Sequence, residues 1–260
     1  MKVIELCYQK NIRDIGGLIA FNGLKVKSGR IYRGGALSKV NDEDIDIINS
    51  LKLTDIVDFR SHLEFEARPD YRFKGVTFHN FPALIDEDND QKRNNNNSDD
   101  SNLLWFLEDG MSGFEHMHNI YAITPLSKEG IKAYKNFFKV LLIDNKRVTY
   151  FHCSQGKDRA GMAAFLLEIA LGVSEADARN DYLYTNVAMD QKIVQFKEML
   201  KNKPYYDKEY EQSLIDVFSA KDEYLDAAIF AINLKYGSIL NYIIEALEVD
   251  IDRLRAIYLE

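Results

Sequence analysis

The stretch that most constrains this chain is residues 152–161, which read His-Cys-Ser-Gln-Gly-Lys-Asp-Arg-Ala-Gly. The residues before it, 147–152, are rich in β-branched and aromatic side chains and predict a buried strand. The residues after it, 160–171, are apolar and are followed by a glycine, which is typical of a helix and its carboxyl end. The pattern predicts a strand, a short loop and a helix, with Cys153 at the end of the strand.

The predicted loop contains the residue types that transfer of a phosphoryl group to sulfur requires. A helix amino terminus directs backbone N–H groups and a positive dipole end towards one point, where a phosphate fits and a thiolate is stabilised. Cys153 can supply the nucleophile, Arg159 offers a planar fork of donors, and Lys157 adds a fixed positive charge. Gly156 allows a backbone turn that a Cβ would hinder. The predicted phosphate-binding residues are Ser154, Gln155, Gly156, Lys157, Asp158 and Arg159.

Two other interpretations of this stretch are weaker. A cysteine after an apolar strand is usually a small buried hydrophobe, but the complete string with its strand and helix is hard to obtain by chance. A nucleotide-binding loop needs an earlier glycine and a Gly-Lys-Ser/Thr sequence. Here Asp158 follows Gly156 and Lys157, and no glycine stands five residues before Gly156. The sequence therefore favours phosphoryl transfer through a phosphocysteine.

The chain resembles the cysteine-dependent protein tyrosine phosphatase superfamily, whose signature is a cysteine, five residues and an arginine. More narrowly, it is similar to bacterial atypical tyrosine and lipid phosphatases with a His-Cys-x-x-Gly-Lys-Asp-Arg loop. Four further segments fit this group: Asn-Ile-Arg-Asp-Ile-Gly-Gly at 11–17, Tyr-Arg-Gly-Gly-Ala-Leu-Ser at 32–38, Asp-Ile-Val-Asp-Phe-Arg-Ser at 55–61, and Lys-Tyr-Gly-Ser at 235–238. The resemblance implies one phosphatase domain over residues 1–260, and we expect segment 11–17 to be a scaffold near the site.

Strands alternate with helices along the chain, which favours an α/β fold with a mainly parallel central sheet flanked by helices. Together with the resemblance, this predicts a tyrosine-phosphatase-like architecture with a helical carboxyl-terminal region. We expect a small β unit at 18–33 and strands at 53–59, 76–81 and 147–152. We expect helices from Asn41, at 127–142, at 160–171, after Ser174, and throughout the last 70 residues.

Residues 85–118 stand apart from this pattern. After Ile85 the chain has no apolar residue up to position 102, and a compact apolar cluster follows at 103–107. We expect a mobile insertion here. It is either a surface insertion with a short core helix behind it, or a lid that Trp105 and Phe106 close over the active site.

The mechanism needs a general acid to protonate the leaving group, and the sequence offers three candidates. The resemblance implies that Asp58 lies near the loop and acts as this acid, although an ion pair with Arg60 or Arg13 is an alternative role. Asp158 lies within the loop, and the loop also looks like that of myotubularins, where the corresponding aspartate has been given this role. The acidic residues of 86–90 could act from a lid. We rank Asp58 first and Asp158 second.

The sequence departs from the resembled family directly after Arg159, where Ala160 stands in place of the usual Thr or Ser. The resemblance implies that this hydroxyl hydrogen-bonds the cysteine sulfur and helps the thiolate leave when water cleaves the phosphoenzyme. We therefore expect slow breakdown of the phosphocysteine, with Ser154 as a partial substitute.

The composition of the chain limits the classes of partner and cofactor that we expect. The net charge of −8 argues against binding to nucleic acid. The sequence has no run of 18 apolar residues, so we predict no membrane span. Of the two cysteines, Cys7 is expected to be a buried or spare thiol. His116 and His118 lack the neighbours that a metal site needs, so we predict no metal or cofactor. The start of the chain does not read as a signal peptide, so we expect a cytoplasmic enzyme unless a signal preceded this sequence.

The expected substrates are phosphotyrosine proteins first, with phosphoserine, phosphothreonine and phosphoinositides as further classes. The lipid expectation rests on Lys157 and Asp158, because the loop resembles phosphatases that also accept phosphoinositides. Phosphoinositides as the main substrate, or a weakly active phosphate-binding pseudophosphatase with Ala160, remain alternatives. Arsenate reduction and sulfur transfer are disfavoured, since the first recruits further cysteines and the second does not use this loop.

Overall fold

A single six-stranded sheet organises the chain. The computed structural model describes residues 2–84, 110–201 and 207–260. Its strands are β1 (Lys2–Ile4), β2 (Ile12–Asp14), β3 (Ile31–Gly35), β4 (Asp55–Asp58), β5 (Thr77–Asn80) and β6 (Thr149–Cys153). They lie in the order β1-β2-β3-β6-β4-β5, in which the pairs β1–β2 and β2–β3 are antiparallel and the pairs β3–β6, β6–β4 and β4–β5 are parallel. The predicted mainly parallel sheet is confirmed.

The register of the sheet brings three strand ends together. β6 is central, and Cys153 pairs with Gly35 of β3, while His152 pairs with Asp58 of β4. Since these strands are parallel, their carboxyl ends lie at one edge of the sheet, where ligands bind in open α/β folds. Cys153 is therefore delivered to this edge between the residues that follow β3 and β4.

Ten α-helices are found among the described residues. They are α1 (Asp42–Ser50), α2 (His62–Ala67), α3 (Gly113–Ile123), α4 (Lys128–Leu141), α5 (Arg159–Leu171), α6 (Glu175–Leu200), α7 (Lys208–Phe218), α8 (Asp222–Tyr236), α9 (Ile239–Glu245) and α10 (Ile251–Tyr258). The predicted helical carboxyl-terminal region is confirmed in this described part.

Each face of the sheet carries its own core, because successive residues of a strand point to opposite faces. Val57 and Phe151 point into the larger core, together with side chains of α3, α4, α5 and the carboxyl-terminal helices. Ile56 and Tyr150 point into a smaller core that includes Ile48 of α1. Helix α5 is apolar on nearly all sides and is buried between the sheet and the other helices, which fixes the start of this helix beside Cys153.

One local expectation needs revision. The predicted β unit at 18–33 contains the first part of β3, isolated bridges that join Ile19 to Lys25 and Val26 to Leu259, and a 3-10 turn at Phe21–Gly23. The strands β1 and β2 were not predicted, since each is only three residues long and too short to show an alternating pattern. Strand β2 nevertheless pairs with β3 and brings the segment from residue 11 onwards against it, while β1 forms the edge of the sheet.

The predicted insertion at 85–118 is described only from residue 110. Its last part begins helix α3, which docks so closely on α7 that a Cβ on Gly113 would lie 2.3 Å from the carbonyl oxygen of Ser213. Trp105, Phe106 and the acidic residues of 86–90 lie outside the described residues, so the lid stays a prediction.

Across the described ranges, no single helix is both long and apolar enough to cross a membrane. The helices Asp222–Tyr236 and Ile239–Glu245, which are bent by 63° relative to each other, meet the length and composition requirement only when they are taken as a pair.

Candidate active site

Cys153 ends the central strand and is almost enclosed, with 2% of its surface exposed. The chain then turns through residues 154–158 and enters α5 at Arg159. This is the strand, loop and helix order that the sequence predicts. A helix amino terminus at this point presents unpaired N–H groups and a positive dipole end next to the sulfur.

Gly156 sets the path of the loop. Its φ is 74°, in the left-handed region that disfavours residues with a Cβ. A Cβ on Gly156 would also lie 2.3 Å from the carbonyl of Gly34 on the neighbouring strand β3. The loop is therefore packed against β3 at a distance that only glycine permits, as the sequence predicts for this position.

Arg159 is held by a carboxylate that the sequence analysis did not identify. The Glu64 carboxylate accepts from both Nη1 and Nη2 of Arg159, the second at 2.9 Å, and also accepts from the Ser154 hydroxyl at 2.6 Å. Arg159 Nη2 in turn lies 3.2 Å from Ser154 Oγ. The fork of Arg159 is thus oriented across the loop, while no protein acceptor in the described residues is found for its Nε.

The electrostatics of this pair follow from the same contacts. Burial alone would raise the pKa of Glu64, but the charge and hydrogen bonds of Arg159 and the Ser154 hydroxyl hold that pKa far below its usual value. Burial disfavours the charged form of Arg159, yet the Glu64 carboxylate raises the pKa of Arg159 well above its usual value. Both groups therefore stay ionised, and the guanidinium is a permanent cation beside the loop.

Lys157 is buried, and its ammonium group has three protein oxygens as partners. It contacts the carbonyl of Val217, the carbonyl of Ser219 at 3.2 Å, and Asp158 Oδ1 at 3.1 Å. The first two belong to the carboxyl end of α7, the negative end of a helix dipole. Since an ammonium group has three N–H donors, a direct contact with phosphate requires Lys157 to leave one of these oxygens.

Asp58 lies in a buried ion pair, which is the alternative role that the sequence left open. Both of its oxygens accept from Arg60, at 2.8 to 3.0 Å. Arg60 also lies 3.1 Å from Asp70, and His152 Nε2 lies 2.9 Å from Asp70. The three groups Asp58, Asp70 and His152 are close enough to share a cation, but the guanidinium of Arg60 already compensates both carboxylates. This geometry does not favour Asp58 as the proton donor.

Asp158 is more accessible, with 29% of its side chain exposed. Its Oδ1 accepts from the Tyr121 hydroxyl at 2.9 Å, and Tyr121 accepts from the Tyr182 hydroxyl at 2.8 Å. Because each hydroxyl has one proton, this chain runs from Tyr182 through Tyr121 to the carboxylate. A proton taken up by Asp158 then belongs on Oδ2, because Oδ1 already accepts from Tyr121.

Of the remaining predicted residues, the Gln155 carbonyl accepts from Asn11, and Cys7 is an exposed free thiol. Glu64 and Tyr121 contact the loop residues Arg159 and Asp158, and the sequence analysis missed both. The Ser-x-x-Glu spacing of Ser61 and Glu64 is a readable helix start, and Glu64 does form this capping box. Its second contact with Arg159 depends on the pairing of β4 with β6, and Tyr121 gives no local signal.

The central strand β6 ends at Cys153, the loop after it leads into a helix, and Arg159 is the first residue of that helix. This arrangement is typical of enzymes that use a cysteine to attack phosphate. Comparison with known proteins agrees with this. The tyrosine phosphatase family matches residues 4–260. The chain therefore belongs to this family and is a phosphatase, and its resemblance to the cysteine-dependent group is confirmed.

Individual relatives give the degree of similarity. Over 249 residues the chain is 31% identical to a protein of Cupriavidus necator that is classed by name among tyrosine-protein phosphatases, covering 96% of this chain and 85% of that one. It is 27% identical over 283 residues, and over the full length of both, to the triple specificity protein phosphatase PtpB of Mycobacterium tuberculosis. The core catalytic domain of the PP-IP phosphatase SIW14 from S. cerevisiae is 12% identical with a TM-score of 0.38, covering 86% of this chain and 94% of that domain, a likeness too low to carry an argument.

Proposed function

We propose that this enzyme hydrolyses phosphotyrosine through a covalent phosphocysteine at Cys153. The observation that carries the proposal is the fixed fork of Arg159, held by Glu64 at the amino terminus of α5 beside the end of β6. The family match over nearly the whole chain supports it, and we propose that residues 1–260 act as one phosphatase domain.

The proposed reaction has two steps. The Cys153 thiolate attacks phosphorus and forms the S–P bond, while the bond between phosphorus and the tyrosine oxygen breaks and the leaving oxygen takes a proton from Asp158. Water then attacks phosphorus and gives its proton to Asp158, the S–P bond breaks, and the thiolate returns. Arg159 and the loop N–H groups stabilise the charge on the equatorial oxygens in both steps.

We assign the proton transfer to Asp158 rather than to Asp58. The partly exposed side chain of Asp158 supports this assignment, because a general acid must reach the leaving group. Asp58 has both oxygens committed to Arg60 in the interior. The structural role of Asp58 is then to hold Arg60 and, through it, the end of β4.

The substrate range is proposed to extend beyond phosphotyrosine. The relative in M. tuberculosis is named as a triple specificity protein phosphatase, which supports tests of phosphoserine and phosphothreonine peptides as well. Phosphoinositides are the second candidate class, and Lys157 is the residue expected to serve them. We expect Lys157→Ala to reduce phosphoinositide turnover more than turnover of p-nitrophenyl phosphate, which requires the Lys157 ammonium to leave one of its three protein oxygens and contact a ring phosphate. Equal losses would remove the lipid part of the proposal.

One experiment tests the core of the proposal. Wild type, Cys153→Ser and Cys7→Ser are assayed with p-nitrophenyl phosphate and with peptides that carry phosphotyrosine, phosphoserine or phosphothreonine. We expect Cys7→Ser to match wild type and Cys153→Ser to lose all measurable turnover. Rapid quench followed by intact-protein mass spectrometry should show one added phosphoryl group on wild type. A fully active Cys153→Ser, or an inactive wild type with unaltered phosphate binding, would contradict the proposal and favour a phosphate-binding module.

A further inference from the structure

Three consecutive carbonyl groups of the loop are held by donors from the amino-terminal part of the chain. Ser154 O accepts from Ala36 N at 3.2 Å, Gln155 O from Asn11 Nδ2 at 3.0 Å, and Gly156 O from Arg33 Nη2 at 2.9 Å. These donors lie on or next to β2 and β3, more than 100 residues away in sequence. The carbonyl side of the loop is thus held by β2, β3 and the residues next to them, which take no part in the proposed chemistry.

The direction of these carbonyls determines the direction of the N–H groups. In a planar trans peptide unit, the C=O of one residue and the N–H of the next point in opposite directions. Carbonyls of residues 154–156 that point to the amino-terminal strands therefore turn the N–H groups of residues 155–157 the other way. Within the described residues we find no protein acceptor for these three N–H groups. They are the groups that a bound phosphate would use.

The two side-chain donors are rigidly held. Asn11 and Arg33 are fully buried. Asn11 Oδ1 accepts from Arg13 at 2.6 Å, which orients its amide so that Nδ2 faces Gln155. Asp181 lies between the two guanidinium groups and accepts from Arg13 Nε at 2.7 Å and from Arg33 Nη1.

This buried cluster also carries an excess of positive charge behind the loop. Arg13 and Arg33 face the single ionised carboxylate of Asp181, whose pKa their charges hold at about 2 against the opposing effect of burial. The neighbouring Glu168 is fully buried, and burial and the charge of Asp181 raise the pKa of Glu168 well above its usual value, which favours its neutral form. With Glu168 neutral, the two guanidinium groups outnumber the one carboxylate, which favours an anion at the loop.

We propose that Asn11 and Arg33 are positioning residues for the phosphate loop. They hold the carbonyls of Gln155 and Gly156 towards the interior, so that the loop N–H groups face the phosphate before it binds. The inference rests on the proposed function of the loop, and it assigns a role to the Asn-Ile-Arg-Asp segment that the sequence analysis left as a scaffold. Neither side chain touches the substrate.

The test measures phosphate binding and thiolate formation separately from stability. Asn11→Asp places an oxygen against the Gln155 carbonyl, and Arg33→Met removes both the donor and a charge. Binding of inorganic phosphate is measured by calorimetry in a Cys153→Ser background. We expect each substitution to weaken phosphate binding about tenfold or more, because several charge-assisted N–H contacts lose their alignment.

A second readout is the rate of Cys153 alkylation by iodoacetamide as a function of pH, in protein with its cysteine. We expect the midpoint of this profile to move to higher pH in both variants, because aligned N–H groups and the buried charge favour the thiolate. Arg33→Lys retains the charge and should give intermediate values. If Arg33→Met does not fold, the same two measurements are made on Arg33→Lys and Asn11→Ser, whose side-chain donors are shorter.

The matched control is Arg30→Met. Arg30 lies just before β3 and also donates to two backbone carbonyls, those of Arg147 and Asn145, but at the opposite end of β6. It should lower the melting temperature without changing phosphate affinity or the alkylation midpoint. Unchanged affinity and midpoint in the Asn11 and Arg33 variants would overturn the inference, even if their stability falls. A wild type that lacks Cys153-dependent turnover but binds phosphate would instead contradict the proposed function and leave this binding test valid.

Discussion

At the scale of single residues, Glu64 links the local helix start to the chemistry of the loop. Its backbone N–H and its side chain form a capping box with Ser61, which ties it to the first turn of α2. The same carboxylate holds the fork of Arg159 and the hydroxyl of Ser154. The Glu64 side chain therefore fixes the arginine that we propose to bind phosphate relative to α2, which directly follows β4.

Replacing Glu64 by Gln tests this link. The variant keeps the shape and the capping acceptor but loses the charge, so the bidentate contact with Arg159 weakens. We expect kcat/KM to fall roughly ten- to a hundredfold, with a small loss in melting temperature. Glu66→Gln, at an exposed position on the same helix, is the control and should behave as wild type. A Glu64→Gln enzyme with wild-type kcat/KM would show that Arg159 needs no partner.

Ala160 gives a second prediction at this scale. It is fully buried in the first turn of α5. The Ser154 hydroxyl donates to Glu64, so it is not free to replace the hydroxyl that position 160 lacks. We expect wild type to accumulate phosphocysteine and to show a burst of p-nitrophenol, and Ala160→Ser to shrink the burst and raise kcat severalfold. Ala163→Ser, one turn later on the same helix, is the control. No burst and no gain in kcat would refute this explanation.

How far the sequence predicts the site depends on the range of the contacts. Cys153, Gly156 and Arg159 were predicted because their roles follow from neighbours within one strand, loop and helix. Lys157 was expected to serve phosphate, but its partners, the carbonyls of Val217 and Ser219, are some 60 residues away and give no local signal. The resemblance ranks Asp58 first as the acid, and the sequence leaves its ion pair with Arg60 open as an alternative, because a bidentate contact depends on side-chain geometry that the sequence does not give.

At the scale of elements, helix α3 contributes a hydroxyl to the loop. Its Tyr121 donates to Asp158 Oδ1, and its first residue packs directly on α7. Its first residues, 113–118, are the end of the segment 85–118, for which the sequence leaves a surface insertion and a lid as alternatives. The helices α1, α4 and α5 could be predicted from capping residues and periodicity, but nothing in the pattern of α3 indicates which of its residues would face the loop.

Tyr121→Phe tests the contribution of this helix. Without its hydroxyl, residue 121 no longer donates to Asp158 Oδ1, so the proton of Asp158 is no longer directed to Oδ2. Turnover should then slow most for a substrate whose leaving group depends on protonation. We expect kcat for an alkyl phosphate to fall about tenfold, and kcat for p-nitrophenyl phosphate, whose leaving group needs little protonation, to change much less. Tyr258→Phe removes a comparable buried hydrogen bond, to Leu141 O at 2.9 Å, and should affect neither. Equal losses on both substrates would indicate a purely structural role for Tyr121.

At the scale of the whole molecule, charged side chains fill the sheet edge on which the site is built. Arg13, Arg33 and Arg60 are all buried there, each paired with at least one carboxylate. Breaking a buried pair by removing one partner is costly, since the other charge is left without compensation. The stability of this protein should therefore depend on pH through groups that lie directly behind the catalytic strand.

His152 and Asp70 form the pair in which this dependence is easiest to measure. Burial lowers the pKa of His152, but the charges of Asp70 and Asp58 outweigh it and raise that pKa above its usual value. Burial likewise acts against the Asp70 carboxylate, and the His152 and Arg60 charges still lower the pKa of Asp70. The histidine contribution is complete below its unfolded value of about 6.5 and is lost as pH rises through the raised value. The aspartate contribution is present above about 3.9 and is lost as pH falls through the lowered value.

The difference in unfolding free energy between wild type and Asp70→Asn should therefore be largest between these limits and shrink at alkaline pH. We expect a gap of about 3 kcal/mol or more at pH 5, measured by urea denaturation, and a clearly smaller gap at pH 9. Asp144→Asn removes a partly exposed ion pair with Arg147 and should give a small gap that does not change over this range. A gap for Asp70→Asn that stays constant from pH 5 to pH 9 would show that His152 is neutral in the folded protein. The charge behind Cys153 would then come from the arginines alone.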